Sequence, residues 1–146
     1  MLYTNDFVDI DYDKNKYILK IISKTECCSS EDFTNFIQQL DNFYEACHKS
    51  HTQFYLFIDL NKVGMLPLSY IKQLSNFFIS KKDYTLELVI CSSIILNNSA
   101  IRTLINGFFM IYTTIKPMKF VKTDEEAYTF LDSIKPGDTM SIQDVN

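Results

Sequence analysis

Gln53-Phe54-Tyr55-Leu56-Phe57-Ile58-Asp59-Leu60 is a near-continuous apolar run closed by an acid. A strand with one wet face alternates polar and apolar residues, whereas a strand covered on both faces does not. The run therefore predicts a central strand of a sheet with helices packed against it. Before it, Phe33, Phe36, Ile37, Leu40, Phe43, Tyr44 and Cys47 recur at steps of three and four, which predicts a helix running to about Lys49. Ser29 and Ser30, followed by Glu31 and Asp32, supply its start. After the run, Pro67 is expected as a first helical residue, with Ile71, Leu74, Phe77 and Phe78 on the inner face and Lys81, Lys82 and Asp83 at the end.

The pattern then repeats. Residues 86–96, rich in Ile and Val, read as a second buried strand. Asn97 or Asn98 can cap a third helix with Ile101, Leu104, Ile105, Phe108 and Tyr112 on its stripe. Pro117 ends that pattern, Met118 to Val121 is a short strand, and Thr123-Asp124-Glu125-Glu126 is a capping box for a last helix with Ala127, Phe130, Leu131 and Ile134 inward. At the other end, Phe7, Ile10 and Tyr12 mark one strand and residues 17–22 another, joined by the polar turn Asp13-Lys14-Asn15-Lys16. The interleaved Asp9, Asp11 and Asp13 are expected to turn to alternate sides and not to gather. The order is ββαβαβαβα: one α/β domain over residues 1–135, an N-terminal β-hairpin followed by alternating α and β, and a mixed, mostly parallel sheet packed by helices. Residues 136–146 read as a loose C-terminal tail.

Composition excludes several classes of function. The chain has 146 residues, 47% apolar and 22% charged, enough for a full core and too apolar for a disordered tail. Its net charge is −4 and Arg102 is its one Arg, so no nucleic-acid partner is expected. Three Gly are too few for Gly-rich phosphate loops, and no cofactor is expected. Cys27, Cys28, Cys47 and Cys91 show no C-x-x-C spacing, and Cys47, His48 and His51 are better read as the end of a helix than as metal ligands. No signal peptide and no transmembrane segment are read, and the expected location is cytoplasmic, with reduced thiols.

In a sheet of this kind, ligands and partners meet the loops beyond the carboxyl ends of the strands, here 61–69 and 92–99. Those loops hold Asn, Ser and Lys but no His, Glu or Cys beyond the strand ends, so no nucleophile with a base beside it is legible, and an enzyme is not expected.

Ile58-Asp59-Leu60-Asn61-Lys62-Val63, then Met65-Leu66 before a helix, resembles the STAS domain of anti-sigma-factor antagonists. Lys119-Phe120-Val121 through the Thr123 box to Ala127 and Phe130-Leu131 is similar to the SpoIIAA-like branch, which is related to Sec14 lipid-binding domains. The resemblance implies a regulatory protein-binding module and places Ser69 on the serine that the family phosphorylates. Ile71 keeps the apolar anchor, while Pro67, Leu68 and Tyr70 depart from the family's Asp, Ser and Gly. The expected contact surface joins Asn61, Lys62, Ser69 and Tyr70 to the third helix, where Phe109 and Met110 extend the apolar surface beyond the core stripe. Its partner is expected to be another protein, a second copy of the chain included. The alternative is a Sec14-like carrier of a lipid or other apolar small molecule.

Overall fold

A computed structural model describes residues 1–64, 66–99, 102 and 116–137. Six strands form one sheet: β1 (Tyr3–Thr4), β2 (Val8–Asp13), β3 (Ile18–Ser23), β4 (Phe54–Asp59), β5 (Val89–Ile95) and β6 (Met118–Val121). Their order across the sheet is their order along the chain. β1, β2 and β3 pair antiparallel, and β3 to β6 pair parallel. The hairpin and the parallel alternation expected from sequence are both present. β1 was not anticipated, because two residues are too few to display a period.

Four helices are described: α1 (Ser30–Ser50), α2 (Leu68–Ser80), α3 (Lys82–Leu88) and α4 (Asp124–Ser133). When successive parallel strands always step in one direction, right-handed crossovers all fall on one face. Residues of α1, α2 and α3 accordingly share one apolar cluster, in which Phe33, Leu40, Tyr44, Phe77 and Leu88 meet Leu19, Ile21, Phe54, Leu56, Ile94 and Phe120. α4 covers the opposite face, with Ala127, Phe130 and Leu131 against Ile18, Phe57, Cys91, Ile95 and Val121. Tyr44 joins the layers on the first face: its ring lies 5.6 Å from Phe54 of β4 and 5.5 Å from Phe77 of α2. Burying each such side chain stabilises the fold by roughly 1.5–3 kcal/mol.

Several boundaries differ from expectation. Residues 86–88 belong to α3, so the strand begins at Val89 and not at 86. An apolar run alone does not distinguish helix from strand; the β-branched residues start only at Val89-Ile90. Lys81 does not end the helical path but is the joint between α2 and α3, its carbonyl accepting from Thr85 N–H at 2.8 Å. Pro67 is the N-cap of α2, one residue before the first helical position. Asp9, Asp11 and Asp13 do not alternate: residues two apart on a strand share a face, and all three lie on the side of β2 opposite buried Val8 and Ile10. The capping box of α4 is shifted by one residue, since Glu126 Oε2 accepts from Lys122 N–H at 3.2 Å instead of from Thr123. Ser99 and Arg102 are helical, with Arg102 N–H donating to the Asn98 carbonyl at 2.9 Å. The rest of the expected third helix, including Phe109 and Met110, and the tail from residue 138 lie outside the described residues.

Gly64 marks a place where two loops touch. Its N–H donates to the Glu26 carbonyl at 3.1 Å, and a Cβ there would sit 3.0 Å from that oxygen. Gly64→Ala is expected to lower stability by about 1–3 kcal/mol, read as a drop in urea midpoint at unchanged slope. An unchanged midpoint would show that the two loops can part without cost.

Candidate functional site

At the carboxyl ends of the parallel strands, side chains tie three loops together. Asp59 Oδ1 accepts from Asn61 N–H at 2.9 Å, so the acid that closes β4 serves a local turn. Asn61 Oδ1 accepts twice from Asn97, from its backbone N–H at 3.1 Å and from its side-chain amide at 3.0 Å. The Asn97 amide also donates to the Lys122 carbonyl at 3.3 Å. On the other side, Lys62 N–H donates to buried Ser23 Oγ at 3.2 Å. The result is a polar rim tied by side-chain hydrogen bonds, in which Asn61 and Lys62 are exposed.

Ser69 is exposed in the first turn of α2. That helix start differs from the other two long ones. α1 is capped by Ser29 Oγ, which accepts from Asp32 N–H at 3.1 Å, and α4 by Thr123 Oγ1, which accepts from Glu126 N–H at 3.1 Å; both carry acids in their first turns. α2 has no side-chain cap and no acid there. Tyr70 is only half exposed: its ring stacks on Phe33 at 4.7 Å, and its hydroxyl donates to the Cys28 carbonyl at 3.1 Å. The structure thus places Asn61, Lys62 and Ser69 on solvent-facing positions of one connection, while Tyr70 anchors it.

The reactive groups do not converge at this rim. Ser93 is fully buried, its hydroxyl donating to the Ala127 carbonyl at 3.0 Å. His48 and His51 lie at the end of α1, beside the start of β4, and a six-residue strand puts ~20 Å between that end and the rim. Burial pushes the Cys47 thiol up to about 11 and the Cys91 thiol up to about 12; Cys28 is also pushed up to about 11, by burial and then by Asp32. These thiols stay protonated at neutral pH and are weak nucleophiles and metal ligands. Among the described residues, no group of three or more His, Cys, Asp or Glu is placed to hold a metal ion, and no helix is long and apolar enough to cross a membrane.

The histidines instead join a polar strap between α1 and α3 that sequence reasoning missed. His48 Nδ1 lies 2.9 Å from Glu87 Oε2, with its ring stacked on Tyr84 at 4.3 Å. Lys81 Nζ reaches Asp41 at 2.7 Å and Glu45 at 2.9 Å, and Tyr84 donates to Glu45 at 3.3 Å. Asp41, Glu45 and His48 recur at helical spacing on α1, which is the one signal that could have placed them together.

Compared with protein-family models and with curated proteins, the chain matches none.

The strap has a pH signature. The Lys81 hydrogen bond holds the Glu45 carboxyl below its ordinary range; burial pulls the Lys81 ammonium down, but bonding to Asp41 and Glu45 outweighs this and leaves it raised. A carboxyl lowered in the folded state contributes stability that is complete above its unfolded value and is lost as pH falls through the folded one. The advantage of the wild type over Lys81→Met, read as urea midpoint, is therefore expected to shrink as pH falls below 4.5. An advantage that stays constant down to acid unfolding would contradict this assignment.

Proposed function

We propose that the chain is a non-enzymatic α/β module of the STAS or SpoIIAA-like kind, cytoplasmic, that works by binding another protein through the connection carrying Asn61, Lys62 and Ser69. One observation carries the reading: the polar side chains at the strand ends are engaged in holding loops together. Asp59, Asn61 and Asn97 bond to one another's backbone and side chains. A catalytic rim needs such groups directed at a substrate, whereas a contact surface gains from having them locked before the partner arrives.

Ser69 fits a regulatory role on this surface. A phosphate there would add negative charge at a helix start that has neither cap nor acid, where the backbone dipole favours it. Pro67 removes one of the amides that would bond it.

The carrier alternative calls for a cavity between the sheet and the expected third helix, which lies outside the described residues. Between the sheet and helices α1 and α2 there is a void of about 70 Å³ walled by Phe7, Phe33, Val63, Leu66, Ile71 and Phe78, among others. Small-molecule sites usually take ~300–1,000 Å³, so this void is too small for an acyl chain.

Native mass spectrometry of the purified full chain, with a denatured control, tests it. A dimer of unmodified chains that Lys62→Glu or Phe109→Ser/Met110→Ser disperses, with the fold kept, is the expected result. Mass of a phosphate on Ser69 would identify the switch. A small molecule retained in the native spectrum and lost on denaturation would overturn the module reading in favour of the carrier.

A further inference from the structure

The void of about 70 Å³ between the sheet and helices α1 and α2 lies in the core, beneath the connection that carries Asn61 and Lys62. Its wall draws Ile21 from β3, Ile58 from β4, Ile94 from β5, Leu40 from α1 and Leu74 from α2. Among the described residues, Ser23 alone brings a polar side chain to the wall, and its Oγ is engaged, accepting from Lys62 N–H at 3.2 Å.

Protein interiors hold few voids larger than a water molecule. The rings around this one explain why it does not close. Phe7 lies 6.2 Å from Phe33 and 6.1 Å from Phe36, and the last two lie 6.0 Å apart, so three rings of the wall brace one another. Phe33 is stacked in turn on Tyr70 at 4.7 Å, and Phe78 meets Phe77 at 5.3 Å. Moving any of these rings inward gives up an aromatic contact, and packed walls relax only partly into a cavity.

The chemistry of the wall decides what the space can hold. A water needs roughly two to four polar partners, and among the described residues no polar atom faces the cavity. An apolar cavity stays dry, and its wall atoms lack contacts on one side that an apolar occupant restores. A cavity of about 150 Å³ lined by Leu, Ile and Phe takes benzene, so a space near half that size suits about three heavy atoms. Leu66, Ile71 and Leu74 are half-buried, which makes the α2 side the thin wall and the route inward.

We propose that this cavity is a binding site for a small apolar solute, a dissolved gas or a hydrocarbon of about three carbons, held by contact with the Phe, Ile and Leu side chains of its wall. The site lies within the core and does not depend on the protein-binding reading.

The test is a methyl and backbone-amide NMR titration of the full chain with xenon, against helium at equal pressure, followed by the same titration with benzene. The expected result is saturable xenon shifts centred on the methyl groups of Val8, Ile21, Leu40, Val63 and Ile94, with no binding of benzene. Val63→Phe places a ring in the space and should abolish those shifts. Should that variant fail to fold, Leu40→Ala enlarges the cavity and is expected to admit benzene with the xenon site retained. Xenon shifts that do not saturate, that helium reproduces, or that persist in folded Val63→Phe would overturn the site. So would a wild type that takes up no xenon, the result expected of a space filled by Met65, which lies between wall residues Val63 and Leu66 and outside the described residues. Benzene bound by the wild type would overturn the ligand size.

Discussion

All seven residues of β5 are buried, from Val89 to Ile95. A strand in that position has no wet face, so the chain must supply a covering layer on each side of the sheet. The first layer follows from the path: with strands β3 to β6 laid down in chain order, the crossings place α1, α2 and α3 together. Among the described residues, the second layer is α4. Its attachment combines apolar packing on Cys91 and Ile95 with the bond from Ser93 to the Ala127 carbonyl, which keeps a hydroxyl inside the strand from being an uncompensated cost.

That arrangement also decides where function can sit. The parallel strands all present their carboxyl ends on one side, where Leu60 N–H bonds to the Ile95 carbonyl and Leu96 N–H to the Val121 carbonyl. Beyond those backbone bonds, Asn61 and Asn97 continue the tie between loops with their side chains. At the opposite end, the left-handed residues Tyr17 and His51 shape the chain entering β3 and β4.

Much of the fold was legible because its signals are periodic. The helical face of α1, its Ser29 cap, the buried run of β4 and the Thr123 cap of α4 all appear where the sequence puts them. The misses have physical causes. Leu86 and Leu88 are apolar in either state, so an apolar run alone could not assign them to α3. The three aspartates of β2 obey a period of two, which the expectation of alternate sides overlooked. For the candidate surface, sequence placed Asn61, Lys62 and Ser69 between β4 and the start of α2, where they are exposed, but could not tell that Tyr70 turns inward onto Phe33. Nor could it see that Asn61 meets Asn97, 36 residues away, because a contact between two strand ends needs the strand order. The His48–Glu87 pairing was hidden for the same reason.

The central claim is that the amide rim is locked in the free protein and is therefore a surface for contact. Hydrogen exchange at the Asn97 amide tests it most directly, compared between the wild type and Asn61→Ala. The account predicts a protected Asn97 amide in the wild type and loss of that protection in the variant, with β5 amides unchanged. Exchange at the rate of an open loop in the wild type would contradict it, and would return the polar groups of the rim to the pool available for chemistry.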